Sequence, residues 1–158
     1  MANTYKQAYF QLVFAVRNRK TVITPTWKDE LEKYITEIVQ SNGHKLISIG
    51  AASDHIHIFI GYNLNHLIPD LVETIKTSSN HWMNNKNLTP FQFSWQNGYG
   101  AFTYSHSQID RVAKYVLNQW EHHKSKSFKE EYFELLREFK IEYKEEYCFD
   151  FFEDYLSE

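Results

Sequence analysis

From Tyr9 to Arg17 the chain is dominated by aromatic and β-branched residues, which predicts a buried strand. Arg17, Arg19 and Lys20 then form a basic turn. Thr24-Pro25 has the chemistry of a helix start, with a capping hydroxyl and a proline at the first helical position. Trp27, Leu31, Tyr34, Ile35, Ile38 and Val39 follow mostly at steps of three and four, the apolar stripe of an amphipathic helix. Ser41-Asn42-Gly43 stops it. Two strands are predicted next, Lys45 to Ala52 and His55 to Tyr62, with Ser53-Asp54 as the turn between them. A second helix is predicted from near Pro69 to Asn84, with Leu71, Val72, Ile75 and Trp82 on its apolar side. After the polar loop Asn84–Pro90 and the turn Gln96-Asn97-Gly98, a fourth strand spans Tyr99 to Tyr104. Gln108 to Lys124 predicts a third helix. Phe128, Tyr132, Leu135, Leu136, Phe139 and Tyr143 mark a fourth, running to about Tyr143.

The order β-α-β-β-α-β is the ferredoxin-like (RRM-like) split arrangement, an α+β fold with one antiparallel sheet and two helices on one face. Two further helices are appended. A length of 158 residues suits a single domain over 1–158: a core over 1–105, a helix over 106–124 and an extension over 125–158.

Net charge is −3, which excludes a histone-like coat, but the charge is unevenly spread. Residues 1–124 carry a net +3 and residues 125–158 a net −6, so a mildly basic body could bind a polyanion locally. Cys148 stands alone, excluding an intrachain disulfide or a cysteine-built zinc site. The longest apolar run, Leu12 to Val16, is too short to span a bilayer, and the N-terminus lacks a signal-peptide layout. A cytoplasmic location is expected.

Asp54-His55-Ile56-His57-Ile58-Phe59-Ile60 carries the most chemistry. Strand alternation puts Ile56, Ile58 and Ile60 on one face and His55, His57 and Phe59 on the other. The isoleucine face fits the two core helices, and the paired imidazoles could ligate a divalent metal. A pair of half-buried structural histidines has the same pattern, so the triplet is weakly specific alone. On the third helix Tyr115 and Gln119 share a face at a spacing of four, with Asn118 and His122 near it. A glutamine oxygen would suit Mg²⁺ or Mn²⁺ beside two histidines. Core packing of Tyr115 is the plain alternative. His122 and His123 are adjacent and diverge by about 100° on a helix, which favours capping or phosphate contact over metal binding. Lys6, Arg17, Arg19, Lys20, Lys76, Arg111 and Lys114 are candidate phosphate contacts; Trp95, Tyr99, Phe102 and Trp120 are candidate stacking platforms.

Three segments in this order resemble the single-tyrosine HUH transposases, close to the branch that includes transposases associated with repetitive extragenic palindromes. They are Ser53-Asp54-His55-Ile56-His57, Trp95-Gln96-Asn97-Gly98-Tyr99-Gly100-Ala101-Phe102, and Tyr115-Val-Leu-Asn-Gln119-Trp-Glu-His122-His123. The resemblance implies His55, His57 and Gln119 as ligands of Mg²⁺ or Mn²⁺ and Tyr115 as nucleophile. It further implies cleavage of single-stranded DNA through a 5′-phosphotyrosine, rejoining of strands, and recognition of DNA hairpins. A homodimer with composite active sites, the histidine pair of one subunit facing the tyrosine helix of the other, is also implied.

Rival readings are a domesticated nuclease processing repeated palindromes, a noncatalytic nucleic-acid-binding module, and a hydrolase using metal-activated water. The acidic fourth helix is unlike a DNA-binding extension. Packing against the body and screening the cleft from nonspecific DNA are both open for it.

Overall fold

The computed structural model describes residues 3–152. Its sheet is built from β1 (Tyr9–Ala15), β2 (Lys45–Ala51), β3 (His55–Gly61) and β4 (Gly100–Thr103). All neighbours pair antiparallel, in the order β2-β3-β1-β4. Each β-α-β crossover skips one strand, so β1 and β3 become the two central strands of the ferredoxin-like sheet.

On one face lie α1 (Pro25–Ser41) and α2 (Ile68–Asn85). Trp27, Leu31, Ile35 and Val39 of α1, with Leu71, Val72, Ile75 and Met83 of α2, are buried against Leu12, Phe14, Ile56, Ile58 and Ile60. The opposite face is covered by α3 (Ile109–Leu117), the single turn α4 (Gln119–His122) and α5 (Phe128–Glu138). There Phe59 packs with Val112 and Val116, and Phe102 packs on Phe139 at 5.0 Å between ring centroids. Cover on both faces explains why β1 and β3 are almost continuously buried rather than alternating. The tyrosine helix lies very close to the sheet. A Cβ on Gly50 of β2 would come 1.8 Å from the Val116 carbonyl oxygen, so α3 can rest there only on a residue without a side chain.

Two helices depart from the sequence reading. The expected third helix is broken at Asn118 (φ −93°, ψ 19°), which separates α3 from α4. The fourth ends at Glu138 rather than near Tyr143, because Lys140 takes a positive φ of 54°. Tyr143 then folds back and stacks on Phe133 at 5.4 Å. Of the two roles open to the acidic helix, packing is what the structure shows: Phe128, Tyr132, Phe133, Leu135 and Leu136 of α5 belong to the main core. Residues 153–158 of the extension lie outside the described residues. Among the described residues no helix is long and apolar enough to cross a membrane.

Candidate metal centre and nucleophile

The pleat of β3 turns His55 and His57 away from the isoleucine face, toward α3, α4 and α5, and both imidazoles are fully buried. Each is oriented by an acceptor at Nδ1. For His55 this is Asp54 Oδ1 at 2.8 Å, and for His57 it is Gln11 Oε1 at 2.5 Å. Gln11 is itself set by its Nε2, which donates to the Tyr104 hydroxyl at 2.6 Å. His123 completes the pattern, its Nδ1 lying 2.5 Å from the Lys126 carbonyl oxygen. Since every partner is an acceptor, each Nδ1–H donates and each Nε2 is left facing inward.

The three Nε2 atoms converge on one oxygen. Glu131 Oε1 lies 3.3 Å from His55, 2.9 Å from His57 and 3.0 Å from His123. Lone pairs of neutral imidazoles would oppose those of a carboxylate, so this arrangement calls for a proton or a cation between them. The four donor atoms lie within 4.8 Å of one another, close enough to share one ion. Imidazole and carboxylate together suit a divalent transition metal or Mn²⁺. Gln119 is also buried here, its Oε1 3.2 Å from His55 Nε2 and its Nε2 donating to the Tyr115 carbonyl.

Electrostatics divide the imidazoles. Burial opposes a charge on His55, but its bonds to Asp54 and Glu131 prevail and raise its pKa to about 9. For His57 burial dominates and lowers it to about 4. Burial likewise works against the Glu131 carboxylate, yet His57, His123 and His55 hold it well below the usual range.

Tyr115, near the end of α3, presents its ring edge-on to His57 at 5.7 Å between centroids. Its hydroxyl donates to Glu131 Oε2. Burial first, then the charge of Glu131, push this phenol well above its ordinary pKa. A cavity of about 280 Å³ opens onto Tyr115, Glu131 and His122, with Arg111 and Lys126 in its wall. A larger groove of about 710 Å³, between α1, β2 and α3, holds none of these groups.

Thus Tyr115, His55, His57 and Gln119, separated in sequence, meet within one chain. Two members of the cluster were not foreseen as a metal site. His123 was expected to cap or contact phosphate because it follows His122. The break at Asn118 and the end of α4 at His122 instead turn His123 inward, where it is buried, while His122 stays at the rim. Glu131 did leave a trace in the sequence, as an acid on the stripe of α5 that otherwise buries Phe128, Tyr132 and Leu135.

The candidate DNA contacts are more scattered. Lys6, Arg17, Arg19, Lys20, Arg111 and Lys114 are exposed; Lys6 donates to Asn65, while Arg19 and Lys20 lie over Phe152 and Phe91. Lys76 is half-buried and donates to the carbonyls of Gln96 and Gly98 at 2.8 and 2.6 Å, bracing the segment before β4. Burial, then Arg17, lower its pKa to about 8. Trp95 and Phe102 are buried in the core, Trp95 donating to Ser79, whereas Tyr99 and Trp120 keep partial exposure.

A sequence profile of the family described as IS200-like transposase matches residues 4–119. The ISDra2 transposase TnpA of Deinococcus radiodurans is 25% identical over 118 residues, covering 72% of this chain and 84% of that protein. Among solved structures, a putative transposase from Deinococcus radiodurans R1 superposes with a TM-score of 0.59 at 22% identity, covering 76% of this chain and 96% of that one. A REP-associated tyrosine transposase bound to a REP hairpin gives 0.53 at 14% identity, covering 73% and 68%. At these identities the structural likeness bears on the fold. The profile match takes in His55, His57, Tyr115 and Gln119 and ends before His123 and Glu131.

Proposed function

The chain belongs to the IS200-like transposase family, and from that premise we propose that it is a metal-dependent single-stranded DNA endonuclease and strand transferase with Tyr115 as nucleophile. The observation that carries this reading is the meeting of three imidazole Nε2 atoms and the Tyr115 hydroxyl on the two oxygens of Glu131.

His55, His57 and Gln119 would hold Mg²⁺ or Mn²⁺, and His123 and Glu131 offer further donors at the same point. When bound, the ion supplies neutralisation of the scissile phosphate and of the charge that develops in the transition state. Tyr115 supplies the bond. Its hydroxyl oxygen attacks phosphorus, the bond to the 3′-oxygen breaks, and the proton lost from the phenol is balanced by one gained at that oxygen. The products are a 5′-phosphotyrosine and a free 3′-OH. The ester is retained on the protein, so a second 3′-OH can displace Tyr115 and join strands without a nucleotide cofactor. An ordinary tyrosine, with a pKa near 10, is only about 0.1% phenolate at pH 7, and burial and Glu131 hold Tyr115 further toward the phenol, so the attack needs the positive charge that a bound ion would supply.

DNA hairpins are the proposed recognition element. Support comes from the relative solved with a REP hairpin and from exposed Arg17, Arg19, Lys20, Arg111 and Lys114 on this chain. The neighbourhood of Tyr115 and His57 within one chain supports a site assembled in cis, in place of the composite site between two subunits that the resemblance implies. Tyr115→Phe tests the reading. It should abolish cleavage of a hairpin-bearing single strand while binding of that strand persists; cleavage that survives the substitution would replace Tyr115 by activated water.

A further inference from the structure

The two oxygens of Glu131 face different chemistry. Oε1 meets the Nε2 atoms of His55, His57 and His123, whereas Oε2 receives the Tyr115 hydroxyl and lies 3.5 Å from His122 Nε2. The residue is 2% exposed, on a helix whose other inward residues are apolar. A carboxylate in such a place is costly unless its lone pairs are used, and here both oxygens are engaged. Its backbone is well fixed. Ser127 caps α5 by accepting from the Glu130 N–H, and Phe128 on the preceding turn stacks on the His55 ring at 3.9 Å.

We propose that Glu131 is a bridging carboxylate, with Oε1 a ligand of the divalent ion held by the histidines and Oε2 the group that positions the Tyr115 hydroxyl beside that ion. This rests on the metal-dependent reading above and extends it. One side chain then sets the ion and the nucleophile relative to each other, within one chain. The helix that carries it lies beyond residues 4–119, so the acidic extension is part of the active centre rather than an appendage to it. Glu131 acts through Tyr115 and is a positioning residue for the attack. A carboxamide at this position keeps the shape but loses the anionic ligand, and aspartate keeps the charge on a shorter stem.

The test compares the full-length wild type with Glu131→Gln, Glu131→Asp and His57→Ala. Mn²⁺ affinity is read from the EPR signal of the free ion, and single-turnover adduct formation is followed across a Mn²⁺ titration. Circular dichroism melts of the metal-free proteins establish that each variant is folded. Expected are a loss of Mn²⁺ affinity of at least tenfold in Glu131→Gln, and an adduct rate at saturating Mn²⁺ still at least tenfold below wild type. Glu131→Asp should recover part of both. Wild-type affinity and rate in Glu131→Gln, with affinity lost in His57→Ala, would overturn the bridge and leave the metal reading standing. Lost affinity with a normal rate at saturation would overturn the positioning role. A faster rate or tighter binding would make Glu131 a plug and overturn the proposal. No Mn²⁺ binding by the wild type would remove both the bridge and the metal reading beneath it.

Discussion

His57 Nε2 lies 2.9 Å from Glu131 Oε1, although the two residues are 74 positions apart. One comes from a central strand and the other from the last long helix, so this contact exists only when the C-terminal extension is docked.

Truncation before α5 is expected to unfold the chain rather than unmask a DNA-binding surface. Phe128, Tyr132, Phe133, Leu135 and Leu136 are buried against the sheet, and each such side chain contributes roughly 1.5–3 kcal/mol. A chain ending at Ser127 should show no cooperative melt by circular dichroism. A truncated protein that melts cooperatively with raised DNA affinity would restore the screening role for the acidic helix.

Gly50→Ala should destabilise the protein by about 1–3 kcal/mol or more, because its methyl group would meet the Val116 carbonyl. For a chain of this size each kcal/mol lowers Tm by about 2–4 °C. An unchanged melting temperature would mean that α3 does not rest on β2 in this way.

Asp54 and Gln11 hold the histidine pair from behind through their contacts to Nδ1. Asp54→Asn keeps the shape but weakens the acceptor for His55. Metal affinity, followed by Mn²⁺ titration, is expected to fall by about 10–100-fold with the fold intact. Unaltered affinity would detach Asp54 from the metal site.

Metal-free stability should peak near neutral pH. His55, with a pKa of about 9 in the folded chain against 6.5 unfolded, favours folding below pH 6.5, and that contribution is lost as pH rises through 9. His57, at about 4, acts in the opposite sense: its contribution is present above pH 6.5 and is lost as pH falls toward 4. The depressed Glu131 adds to the loss on the acid side. Each histidine corresponds to about 3 kcal/mol. Urea unfolding of metal-free protein between pH 5 and 9 should show the maximum; a stability that stays flat above pH 6.5 would contradict a protonated, paired His55.

Much of this was legible in the chain itself. Period-two alternation from His55 to Ile60 placed the imidazoles opposite the core helices, and the element order specified the sheet. What escaped was non-local. The break at Asn118 comes from one backbone conformation that no residue in Tyr115–His123 advertises, and it decides where His123 points. Glu131 could be seen as an acid on an apolar stripe, but what it meets depends on how α5 docks. Aromatic content alone does not distinguish a core ring from an exposed one, and Trp95 and Phe102, candidates for stacking by sequence, are both buried.

The most direct measurement is a covalent-adduct experiment on labelled, hairpin-bearing single-stranded DNA with Mg²⁺ or Mn²⁺, resolved on a denaturing gel and mapped by mass spectrometry. The expected result is a metal-dependent protein–DNA species with the 5′ phosphate on Tyr115, absent in Tyr115→Phe. Cleavage of the same strand with no protein-linked product would contradict Tyr115 as nucleophile and leave the histidine–glutamate centre as a hydrolytic one.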